Sequence, residues 1–147
     1  MYETYTRQAL PSKEYRELLG TALCVFNSNN AFIIECVLKV DEEFRYNWFN
    51  LIDLESGYLI HNGKKFPMRE TVKKKSDGTF ELLLAKIVKS RNLIINSFQI
   101  TDTDGEQKLA TRNKETNRSL VITEEYLMDF IKKNESLSTM IYEFRGH

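Results

Sequence analysis

Between Tyr15 and Val40 the apolar residues Tyr15, Leu18, Leu19, Ala22, Leu23, Phe26, Ile33, Val37 and Val40 recur at helical spacing. Each residue of a helix turns the chain by about 100°, so these side chains form one stripe sustained over about seven turns. A stripe of that length has to be covered along its whole extent, and the chain must supply other long elements to do so. Leu10-Pro11 breaks the backbone ahead of it, Ser12 is suited to cap it, and Glu14 and Glu17 fall in the first turns, where the helix dipole favours acids. Asn27, Asn29 and Asn30 interrupt the middle, and Asn29 and Asn30 border the stripe. A buried amide needs a partner. A kink, a hydrogen bond to another helix and a polar lining for a site between helices are all compatible with these residues.

A second helix fits Glu43 to about Leu54, with Phe44, Trp48, Leu51 and Ile52 pointing inward. Ser56-Gly57 weakens it, and Asn62-Gly63 ends the next short segment. Gly63 to Gly78 is a polar connection with room for a helical turn around Met68 to Val72, and Asp77 or Thr79 can cap a third helix from Phe80 to about Ser97. Then the pattern changes. Phe98 to Thr103, Glu106 to Thr111 and Ser119 to Ile122 favour extended structure, and Asp104-Gly105 is a hairpin signal. Thr123 followed by Glu124 and Glu125 starts a last helix, whose seam is Leu127, Phe130, Ile131, Leu137, Ile141 and Phe144. The expected fold is mainly α, an antiparallel helical bundle with a small β-meander before the last helix, in a single domain over residues 1–147.

Composition narrows the function classes. With 41% apolar and 29% charged residues the chain is neither disordered nor a membrane protein, and no apolar run approaches the ~20 residues of a membrane-spanning helix. The N-terminal stretch MYETYTRQALPSKEY lacks the apolar core of a signal peptide, so a cytoplasmic location is expected. Basic and acidic residues balance at 21 each, so any nucleic-acid binding has to be local. The cluster Lys73-Lys74-Lys75 suits a solvated loop better than a phosphate track. Cys24 and Cys36 share one helix, where they would lie ~18 Å apart. A disulfide requires Cα atoms within ~7 Å, so reduced core thiols are expected. The only histidines, His61 and His147, are far from both cysteines, and no metal site or cofactor is expected.

The third helix carries the unusual chemistry, in the stretch SRNLIINSF from Ser90 to Phe98. With Phe80 at zero on the helical wheel, Leu83, Leu84, Ile87, Val88, Ile94, Ile95 and Phe98 fall within about 80° of it. Arg91 lies near about 20°, inside the same arc. Guanidinium does not lose its charge, so a buried arginine needs an anion or a polar cavity. A salt bridge to Glu35 or Asp53 on a neighbouring helix is one solution, and a ligand site is another. Asn96 lies about 140° from Arg91, so the two cannot grip one phosphate from a straight helix. They meet only if the helix end unwinds or if the same helices of two subunits face each other. Asn92 is one turn before Asn96, on the same side.

RNLIIN, Arg91 to Asn96, resembles the R-x4-6-H motif of the HEPN superfamily (higher eukaryotes and prokaryotes nucleotide-binding), commonly Arg-Asn, three residues, then His. Arg91 and Asn92 match, the spacing matches, and Asn96 stands where the family has histidine. The order of elements agrees over most of the chain. The resemblance implies a metal-independent endoribonuclease, commonly a homodimer, of the toxin or phage-defence type. In that scheme Arg91 stabilises phosphorane charge while the residue at position 96 moves protons, and Asn92, Ser97 and Asn30 are candidate substrate-binding side chains. A guanidinium fork suits phosphate oxygens and an imidazole titrates near neutrality, but an amide exchanges no proton at useful pH. Asn96 therefore implies a catalytically silenced form. Either the lineage kept the fold for binding, or a His→Asn replacement silences a nuclease. The alternative is a non-catalytic HEPN-like binding or regulatory subunit with an antitoxin or defence-system partner. Relatives that are nucleotidylated on a tyrosine two residues after the histidine are not matched, because Phe98 stands there.

Overall fold

The computed structural model describes residues 2–40, 79–113 and 116–144. The expected second helix at Glu43–Leu54, the polar connection from Gly63, Lys73-Lys74-Lys75, His61 and His147 lie outside the described residues. Helix α1 (Lys13–Val40) runs unbroken through the asparagine cluster. The Ser12 hydroxyl accepts the Tyr15 N–H at 3.1 Å, satisfying one of the amides left open at a helix start. Helix α2 (Thr79–Ile95) leads through Asn96 and Ser97 into strand β1 (Phe98–Thr101). Strands β2 (Gln107–Asn113) and β3 (Arg118–Ile122) complete an antiparallel meander of order β1-β2-β3. Helix α3 (Glu124–Phe144) closes the described chain, and the Thr123 hydroxyl caps it by accepting the Tyr126 N–H at 3.0 Å.

Helix α1 buries Tyr15, Ala22, Phe26 and Ile33 against Leu127, Phe130, Leu137 and Ile141 of α3. The two run in the same direction: Phe26 meets Phe130 with ring centroids 6.2 Å apart, Asn29 meets Asn134, and Tyr15 meets Ile122 just ahead of α3. Helix α2 adds Phe80, Leu84, Ile87, Val88 and Ile94 to the same core and packs on both α3 and β2. The described fold is mainly helical with a small antiparallel sheet set before the last helix.

Asn29 is a buried interhelix hydrogen bonder. Its Nδ2 donates to the Asn134 carbonyl at 2.9 Å and to Asn134 Oδ1 at 3.2 Å, while Asn134 Nδ2 donates to the Phe130 carbonyl at 2.9 Å. Asn29→Leu is expected to cost about 1–3 kcal/mol, because the Asn134 amide oxygen stays buried without its donor. The double replacement with Asn134→Leu removes both polar groups and is expected to recover most of that loss. Urea unfolding of the two variants checks the sign of the coupling.

The register pairs Phe98 with Ala110, and Leu109 with Ile122. Strand β1 stops at Thr101, short of the expected Thr103, because Asp102 organises the turn. Its Oδ1 accepts the N–H groups of Asp104 and Glu106, and its Oδ2 lies 2.7 Å from Lys108 Nζ. The Lys108 ammonium holds the Asp102 carboxyl below the usual range, helped by those two N–H groups. Gly105 takes φ +81°, the left-handed conformation that the Asp-Gly signal promised.

Three expectations fail. Cys24 is exposed rather than a core thiol. Ile95 and Phe98, placed inward by extending the wheel, are 48% and 57% exposed. The helix ends at Ile95, so Phe98 obeys strand geometry and faces outward instead.

Candidate functional site

Lys89, Asn92, Leu93 and Asn96 sit at steps of three and four residues and so share one face of the C-terminal half of α2. That face looks onto the end of β2. Strand β1 pairs only with residues 107–110 of β2, so Thr111, Arg112 and Asn113 extend past it, alongside the helix. The result is a cleft of about 220 Å³ lined by Lys89, Asn92, Leu93, Asn96, Thr111, Arg112 and Asn113. Its lining holds two cationic side chains, three carboxamides and a hydroxyl, and no carboxylate among the described residues. Arg112 forms no ion pair among the described residues. Such a set offers donors and positive charge to an anion with several oxygens.

Asn96 and Asn92, both exposed, therefore share this cleft. The Asn96 N–H still donates to the Asn92 carbonyl at 3.0 Å, so the last turn is regular and has not unwound to carry Asn96 toward Arg91. Arg91 does not line the cleft, although it touches Asn92, which does. It is half-buried, with its guanidinium carbon 5.6 Å from the centre of the Phe26 ring and its Nη1 donating to Asn92 Oδ1 at 3.1 Å. The burial expected of it is met only in part. A flat cation over an aromatic face is stabilised without a carboxylate, and none lies within ion-pair distance among the described residues. Of the suggested partners, Asp53 and the side chain of Glu35 lie outside the described residues.

Ser97 closes the helix, its Oγ donating to the Ile94 carbonyl at 2.6 Å, and it does not line the cleft. Asn30, half-buried on α1, is also absent from the lining. The sequence missed Lys89, Thr111, Arg112 and Asn113. Lys89 was legible as a member of the Asn92–Asn96 face, but the three strand residues depend on β1 being shorter than β2.

Among the described residues no three His, Cys, Asp or Glu side chains gather as a metal site requires, and no helix is long and apolar enough to cross a membrane. No family model, no curated protein and no solved structure matches the chain.

Proposed function

We propose that the chain is an RNA-binding domain of HEPN type, a mainly helical fold with an inserted meander, that holds the phosphate backbone without cutting it. The observation that carries this reading is the cleft itself. Two positions of the R-N-x3-N stretch, Asn92 and Asn96, open onto the same space as Lys89 and Arg112, with no described carboxylate to repel a phosphate. A cationic cleft on a chain of zero net charge is local in the way a specific backbone contact needs to be. Cleavage is absent because Asn96 offers hydrogen bonds but no proton transfer, and because Arg91 of the same chain faces Phe26.

The full catalytic arrangement then belongs to a homodimer, in which a second copy brings its Arg91 to the cleft. Exposed Ile95, beside Asn96, is one apolar side chain available for that contact.

Anisotropy titration of a labelled RNA in EDTA tests the binding. The wild-type protein is expected to bind with strong salt dependence, and Arg112→Ala and Lys89→Ala are each expected to weaken it and to lower the log–log salt slope by about 1. An affinity untouched by either variant would place the RNA elsewhere on the molecule.

A further inference from the structure

Side chains alternate across a sheet. Thr111 and Ile122 are buried on the helix-facing side of the meander, where Leu109 also packs on the core. Phe98, Ile100, Lys108, Ala110, Arg112, Ser119 and Val121 therefore share the outer face. The register places Phe98, Ala110 and Val121 in one row across the three strands. Phe98 and Val121 are 57% and 40% exposed, and they cover the small Ala110 between them, which is 5% exposed. The exposed ring is flanked on its own face by two basic side chains, Lys108 and Arg112, the diagonal neighbours of Phe98 on β2.

Phe98 stands opposite Ala110, and Arg112, two residues further along β2 on the same face, is one diagonal neighbour at roughly 7–8 Å. Arg112 also lines the cleft. One guanidinium thus joins the cationic cleft to the exposed ring. The acids of the hairpin, Asp102, Asp104 and Glu106, lie at the opposite end of β1, and Asp102 is paired with Lys108.

We infer that the Phe98 ring is a stacking platform for a base of single-stranded RNA whose adjoining phosphate sits at Arg112. This inference rests on the proposed RNA reading of the cleft and adds its substrate class. Positive charge on one side and a flat apolar ring on the other match the two halves of a nucleotide. A sheet face with an outward aromatic beside basic residues can take an unpaired base, whereas a duplex keeps its bases in its own stack. Val121, in the same row, extends the apolar floor beyond Ala110.

The test is anisotropy in EDTA with a labelled oligoadenylate, alone and annealed to oligouridylate, using wild-type, Phe98→Ala, Phe98→Trp and Arg112→Ala proteins. Thermal melts by circular dichroism establish that each variant is folded, and light scattering records its oligomeric state. The single strand is expected to bind more tightly than the duplex. Phe98→Ala should weaken single-strand binding about 10-fold or more with an unchanged salt slope, and Phe98→Trp should retain it. Duplex binding should be indifferent to Phe98. Unchanged single-strand binding by Phe98→Ala, with weakened binding by Arg112→Ala, would overturn the platform and leave the cleft reading standing. Conversion of a dimer to a monomer by Phe98→Ala would show that the row is a protein interface and overturn the platform too. Failure of the wild-type protein to bind either nucleic acid would remove both readings.

Discussion

Tyr15→Phe should destabilise the protein far more than the loss of one oxygen suggests. The Tyr15 hydroxyl donates to the Ile122 carbonyl and accepts the Leu109 N–H at 3.1 Å. Leu109 and Ile122 are partners in the β2–β3 register, so the hydroxyl stands between the two strands at the foot of the meander. It also ties α1 to the start of α3, because the cap Thr123 comes directly after Ile122. Tyr15 is 2% exposed, so water cannot replace the oxygen without disturbing the core. Each backbone group left unpaired in such a place costs about 1–3 kcal/mol, and here there are two. Urea unfolding should show a lower midpoint with an unchanged m-value.

The same hydroxyl makes a pH prediction. Burial raises the Tyr15 pKa above its ordinary value, ahead of the opposing effect of the Leu109 N–H. A group whose folded pKa is raised holds its proton more tightly in the native state. Its stabilising contribution is full below the unfolded value of about 10 and is lost as pH rises through the folded one. Wild-type stability should therefore fall at alkaline pH, and Tyr15→Phe should lack that part of the fall. A midpoint unmoved by Tyr15→Phe would mean that the two backbone groups find other partners.

Much of this frame was legible in the sequence because it is set locally. Ser12 and Thr123 announce helix starts by the oxygen they offer to the first free amides, and Asp104-Gly105 announces a turn through the φ that glycine tolerates. The period of 3.6 residues picks out the core residues Tyr15, Phe26, Leu127 and Phe130, and the divergence of Arg91 from Asn96 comes from about 100° per residue. Other features needed tertiary knowledge. Where α2 stops decides that Phe98 faces outward, and no local signal fixes that to one residue. Arg91 settles on the Phe26 ring of a helix distant in sequence. The cleft exists only because β1 covers part of β2, a difference in strand length that composition does not encode. Arg112 lies just beyond the expected strand end at Thr111, so nothing in the sequence marked it as part of a site.

Asn96→His should supply the proton carrier that the cleft lacks. General acid–base help is worth roughly 100- to 10,000-fold in rate, so the replacement is expected to turn the proposed binding site into a cutting one. The expected chemistry is attack of the RNA 2′-hydroxyl on the adjacent phosphorus with cleavage of the P–O5′ bond, the 5′-oxygen leaving as a protonated hydroxyl, which gives 2′,3′-cyclic phosphate and 5′-hydroxyl ends and should proceed in EDTA. Within one chain the regular last turn of α2 keeps position 96 in the cleft while Arg91 rests on Phe26. In the proposed homodimer Arg91 from a second copy provides the charge for the phosphorane, so specific activity should fall on dilution. Arg91→Ala in the Asn96→His background should remove the gain, because developing charge loses its guanidinium.

Labelled single-stranded RNA incubated in EDTA with the wild-type protein and with Asn96→His, with the products and their ends resolved, tests whether position 96 silences the proposed RNA site. The expected result is bound but intact RNA with the wild-type protein, and cleavage to cyclic phosphate ends with Asn96→His. Efficient cleavage by the wild-type protein would overturn the silenced site, and so would RNA left intact by a folded, RNA-binding Asn96→His protein.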